Sequence, residues 1–197
     1  MLRKVLLTSI AAVSLTGCLS MKSYVDPGFD SVKYSDIQSP SNKYAMNVDV
    51  EFRRNGERFE RAEGELRSHV ERTLRASGIV QPEFGGAETT ILVIVNNVAD
   101  LASARAKGFG TGLTFGATGS TVVDAYEIQI LLKVNGKELE SSYQHALHST
   151  VGNADAPFAN VTSTTPADAF GKVVEEAILK FINDMQKQNI LVLRTTI

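Results

Sequence analysis

Apolar residues along this chain recur first at every second position and then at every third or fourth, and each change of period marks an element. From Lys43 to Arg53 the even positions Met46, Val48, Val50 and Phe52 are apolar, while Ala45, Asn47, Asp49 and Glu51 lie between them. That alternation predicts a first strand with one buried face. Asn55-Gly56 breaks it. Phe59, Ala62, Leu66, Val70, Thr73 and Leu74 then follow at helical spacing, the stripe of an amphipathic helix. Gly78 is placed to end that helix as the C′ residue, with Ile79 closing the hydrophobic contact. Glu57–Arg61, Glu63–Arg67 and Glu71–Arg75 stand in the favourable i,i+4 order. The arginines between Arg53 and Arg75 therefore read as a solvated helix face rather than a phosphate site.

Thr89 to Val98 is a nearly unbroken β-branched and aliphatic run, which predicts a central strand covered on both faces. Val122–Val134 and Lys137–Thr150 flank Asn135-Gly136, the pair suited to a type I′ turn because both residues tolerate positive φ. A two-residue loop would set Leu132 opposite Leu139, Ile130 opposite Ser141, Ile128 opposite Tyr143 and Tyr126 opposite His145, on the core face. The other face would pair Lys133 with Glu138 and Glu127 with Gln144. A slip of one residue would invert that sorting, so the register is well specified. Thr165, Pro166 and Asp168 supply N-cap, N1 and N3 of a last helix. Its broad stripe runs through Phe170, Val173, Val174, Ala177, Ile178, Phe181, Ile182 and Met185. Ile190–Ile197 is β-branched enough for a final edge strand. The order β-α-β-β-β-α, with a terminal β, predicts an α+β fold: a small, mostly antiparallel sheet with two helices packed on one face.

Residues 18–42 show neither period and are rich in Ser, Asp and Pro. They predict a flexible tether in which Tyr24, Phe29 and Tyr34 are solvated, leaving 43–197 as a single α+β domain. Ahead of it, Arg3 and Lys4 precede an apolar run from Val5 to Leu15, too short to span a bilayer but right for an export signal over 1–17. That run ends in Leu15-Thr16-Gly17-Cys18. The tetrapeptide resembles the bacterial lipobox, and the resemblance implies cleavage before Cys18 and acylation of its sulfur. Leu19, in place of the aspartate associated with inner-membrane retention, implies an anchor in the outer membrane by the same family rule, which leaves a periplasm-facing and an outward-facing position both open.

Composition narrows the chemistry. The 197 residues carry 20 Lys plus Arg against 22 Asp plus Glu, a net charge of −2; loss of Arg3 and Lys4 with the signal would leave the body at −4. No electrostatic case for nucleic acid exists at that charge. The one cysteine excludes an internal disulfide and any thiolate metal cluster. His145 and His148 fall on opposite sides of one strand and His69 lies on a helix, so no metal or catalytic histidine set is expected. His148 reads as a surface group. No serine elbow or carboxylate pair is visible either; the chain is expected to be neither an enzyme nor a cofactor carrier.

The most unusual stretch is the glycine-rich loop 108–121. It lacks the Lys-Ser/Thr of a P-loop, and Leu113 stands where a dinucleotide fingerprint needs glycine. Phe109, Gly110, Gly112, Leu113, Phe115 and Gly116 are its candidate partner-binding or self-association residues, because apolar groups clustered on a loop mark contact surfaces; a flexible loop of no specific role and a segment touching lipid are the other two readings. An apolar-ligand carrier is the alternative, with a sheet–helix crevice lined by Phe170, Val174 and Phe181.

The glycine-rich loop with its apolar residues, the long alternating strand after it and the turn Asn135-Gly136-Lys137 together resemble a class of bacterial envelope lipoproteins. This class includes relatives of the curli-secretion lipoprotein, the amino-terminal domain of the Tol-system translocation protein and the lipoprotein activators of penicillin-binding proteins. The resemblance covers residues 43–190 and implies a recognition or scaffold domain serving envelope assembly through a protein partner. The chain lacks the extra strands of a secretion pore.

Overall fold

The computed structural model describes residues 21–40, 42–83, 85–98, 121–152 and 154–191. Seven strands form one sheet: β1 Met21–Val25, β2 Tyr44–Arg54, β3 Glu57–Arg58, β4 Val80–Glu83, β5 Thr89–Val98, β6 Thr121–Val134 and β7 Lys137–Val151. Two helices, α1 Glu63–Ala76 and α2 Pro166–Lys187, and short 3-10 turns at Tyr34–Asp36 and Glu60–Ala62 complete it. The sheet runs β1-β7-β6-β5-β2-β3, with β4 beside β2. β2 is parallel to β5 and β4, while the other pairs are antiparallel. The fold is α+β with a mostly antiparallel sheet, as the pattern of periods predicts.

The hairpin has the predicted register, with Leu132 opposite Leu139 and Tyr126 opposite His145. Asn135 and Gly136 sit at φ +50° and +72°, the left-handed region a type I′ turn requires. Even residues of β2 and β6 and odd residues of β5 meet α1 and α2 in the main core. On the other face of β5, Ile94 is buried but Leu92 is only half-buried, so the expected cover on both sides is partial. α2 begins as predicted: the Thr165 hydroxyl oxygen accepts from the Asp168 N–H, and Pro166 is at N1.

The helices meet where Gly171 lies against His69. A Cβ at 171 would stand 2.5 Å from His69 Cε1, so glycine is what permits this approach. The His69 Nδ1 takes a hydrogen bond from the Arg72 guanidinium at 2.9 Å. Burial, with the neighbouring Arg72 charge second, pulls the His69 pKa below the ordinary histidine value, and Glu65 opposes the shift. A base with a depressed folded pKa binds its proton more readily when unfolded. Its contribution to stability is therefore full above pH ~6.5 and is lost as pH falls through the folded value. Urea titrations from pH 7.5 down to 5 are expected to show a steeper loss of stability in the parent than in His69→Gln. Parallel curves would contradict this.

Four expectations are corrected. The segment 18–42 is not a flexible tether over its described part. Met21–Val25 pairs with Leu147–Val151, Tyr24 and Ile37 are buried, and Gln186 exchanges hydrogen bonds with the Gln38 backbone. An edge strand held by residues more than 120 positions away leaves no local period to read. Second, Phe59 is not on the helix: it precedes the 3-10 turn, 41% exposed, edge-on to Phe52. Glu63 is accordingly claimed by Arg58 at 2.7 Å, whereas Glu71–Arg75 forms as expected at 3.1 Å. Third, His148 is buried. Fourth, the terminal strand expected over Ile190–Ile197 does not begin: Ile190 and Leu191 form no strand, with Leu191 at φ +54°, and 192–197 lie outside the described residues.

Candidate binding cleft

Among the described residues, β7 is the longest strand, and only its last third is covered on the outer side. β1 pairs with Leu147–Val151; the chain then turns away at Asp26, whose N–H donates to the Ala146 carbonyl at 3.1 Å. That bond fixes the direction of the ladder: even-numbered residues of β7 aim their backbone groups outward, and odd-numbered ones aim at β6. Among the described residues no strand lies against the outer side of β7 between Glu138 and Tyr143. Lys137, Glu138 and Glu140 give the hairpin end a charged edge, a common guard against edge pairing. Ser141, Ser142 and Tyr143 carry no charge.

Beside this open edge lies a cleft of about 760 Å³ between β7, α2 and the segment after β1. Asp26 starts a turn by accepting from the Gly28 N–H at 2.8 Å, and this turn swings Phe29 over the sheet. The Phe29 ring stacks on His145, with centroids 4.9 Å apart. His145 Nδ1 accepts from the Ala146 N–H at 2.9 Å. Its Nε2 pairs with the Glu176 carboxylate at 2.9 Å. Lys180 and Asp30 close the outer wall at 3.5 Å. Below, the Tyr143 hydroxyl donates to Asp184 at 3.1 Å; burial first, with Asp184 adding to it against a bond to Ser141, holds that hydroxyl well above the ordinary tyrosine range.

This arrangement is built to hold a shape. Both nitrogens of His145 are engaged, so it presents no free base to a substrate. His148 is bonded through Nε2 to Asp26 at 3.1 Å and meets Phe158 edge-on at 4.8 Å, on the other face of β7 from His145. Among the described residues, no three His, Cys, Asp or Glu converge on a point fit for a metal ion. Phe170, Val174 and Phe181 line no crevice: all three are buried in the core, with Phe170 packed against Phe52 and Tyr126. The cleft wall is instead mixed, about as polar as apolar, with Ser142, Gln144, Glu176 and Lys180 around Phe29, Ile128 and Tyr143.

The candidate residues Cys18, Phe109, Gly110, Gly112, Leu113, Phe115 and Gly116 lie outside the described residues. Asp26 and Glu176, which shape the cleft, carry no site signal of their own in the sequence, and Phe29, expected to be a solvated tether residue, instead stacks on His145. The Asp26-Pro27-Gly28 turn directly after Tyr24-Val25 is the signal that could have located them.

No protein-family model matches this chain, and no curated protein matches it in sequence. Among solved structures, it is similar to a PelC dodecamer from Paraburkholderia phytofirmans, at 13% identity and TM-score 0.36, covering 81% of this chain and 94% of that one. It is also similar to a candidate lipoprotein from Caulobacter crescentus, at 14% identity and TM-score 0.31, covering 74% of this chain and 87% of that one.

Proposed function

We propose that this protein is a lipid-anchored recognition module of the bacterial envelope that binds an extended polypeptide by strand addition to the open edge of β7. The observation that carries the reading is the uncovered edge at Glu140 and Ser142, whose backbone N–H and C=O groups point outward beside a preformed cleft. Main-chain hydrogen bonds along such an edge give affinity, and flanking pockets select side chains. A wall that alternates charged and hydrogen-bonding groups with Phe29, Ile128 and Tyr143 suits the mixed side chains of a peptide better than a wholly apolar ligand. The export signal and the lipobox Leu15-Thr16-Gly17-Cys18 support anchoring through Cys18, with Leu19 favouring the outer membrane. Nothing in this reading asks the chain to catalyse a reaction.

Ser142→Pro tests it. Proline removes an outward N–H, and is tolerated on an edge strand where that N–H faces away from the ladder. The complex formed in detergent-solubilised envelopes, read by native electrophoresis, is expected to weaken roughly tenfold through loss of a hydrogen bond and steric obstruction. The melting temperature should stay nearly unchanged. Full retention of the complex would overturn the strand-addition reading.

A further inference from the structure

We infer that the projecting end of the sheet, where Met21 and Val122 stand exposed, is seated in the headgroup layer of the membrane; the inference rests on the Cys18 anchor proposed above. The first observation is covalent. Three residue steps separate Cys18 from Met21, and three steps of extended chain reach at most about 11 Å. Met21 is the first residue of β1 and is held in register with Val151. An acyl group on Cys18 thus holds the sheet end within at most about 11 Å of the anchored residue, so that it stands no more than a few ångström clear of a headgroup layer about 5–8 Å deep on each side of the bilayer.

The second observation is the shape of that end. β5 stops at Val98, which pairs with Ala125, and β2 stops at Arg54, which pairs with Asn97. β6 continues to Thr121, paired with Thr150. Among the described residues, β1, β6 and β7 therefore project four residues, about 13 Å, beyond their neighbours. Met21 faces Val151 and Val122 faces Ser149, so both side chains are on the helix side of the sheet. Neither helix covers them: Met21 is 49% and Val122 54% exposed.

The third is charge. The outermost residues, Met21–Ser23, Val122–Val123 and Ser149–Val151, include Lys22 and no carboxylate, in a body whose net charge is negative; Asp124 and Asp26 lie at the base of the projection, held by Asn97 and His148. An outer tip with two exposed apolar groups and a lysine suits an interface of phosphate headgroups and acyl chains.

The test uses the acylated protein reconstituted in vesicles of phosphatidylethanolamine and phosphatidylglycerol. A nitroxide is placed on Val122→Cys or on Glu138→Cys at the opposite end of the sheet; the Cys18 sulfur, bonded to lipid, does not react with the label. On vesicles, collision of the 122 label with a water-soluble nickel chelate should fall several-fold while its collision with oxygen rises, and the 138 label should keep its aqueous accessibility. Equal aqueous access at both positions, with the acyl mass present on Cys18, would overturn the inference and leave the anchor standing. Loss of nickel access without a gain in oxygen access would mean that protein covers the tip, which also overturns it. Absence of the acyl mass would remove the anchor and this inference with it.

Discussion

Phe181→Ala is expected to lower the stability of the domain by about 3–5 kcal/mol, the range for emptying an aromatic site in a packed core. Phe181 is fully buried on the underside of α2, within the cluster that joins that helix to β5, β6 and α1. Its surroundings are poorly placed to close over a void. The strands below are fixed in register by the long β6–β7 hairpin, and α2 is fixed at its start by the Thr165 cap and along its length by close contact with α1 at Gly171. For a domain of this size, such a loss lowers the melting temperature by roughly 6–20 °C. It also removes a large fraction of a typical stability of about 5–15 kcal/mol. Differential scanning calorimetry checks it. A drop under about 2 °C would show that the helix layer repacks freely, against the rigid core described here.

Cys18→Ser is expected to change the location of the protein completely. Acyl burial contributes about 0.8 kcal/mol per CH₂, so one chain holds marginally and two or more hold stably. Among the described residues, no helix is long and apolar enough to cross a membrane, and the exposed Met21 and Val122 are too few to replace acyl chains. The variant should leave the membrane pellet for the soluble fraction of cells fractionated at low salt, and intact-mass analysis should find no acyl addition. Retention in the pellet at parental levels would contradict the anchor.

Much of the fold is legible because it is encoded locally. Asn135-Gly136 defines a turn whose register then follows for the whole β6–β7 pair, and Thr165-Pro166 opens α2 where a cap and a φ-restricted residue must be. What escapes the eye is encoded at a distance. β1 is five residues long, lies at the sheet edge and is stabilised by Leu147 to Val151, so its sequence carries no period of its own. His148 looks like a surface residue until Asp26 and Phe158 arrive from two other segments to bury it. The same holds for the cleft. Tyr143 and His145 are readable as inward-facing strand residues, but Phe29 and Glu176 reach them only through the turn at Asp26 and the placement of α2. The candidate loop residues at 109–116 remain a reading of the sequence.

The most direct test of the central claim is site-specific photo-crosslinking in intact cells, with a photoreactive residue replacing Ser142 on the open edge or Ser68 on the exposed side of α1. Strand addition predicts a discrete adduct to a second polypeptide from position 142, joined through an extended segment of that partner, and none from position 68. No adduct from 142 in a protein that is acylated and membrane-bound, or equal adducts from both positions, would contradict it.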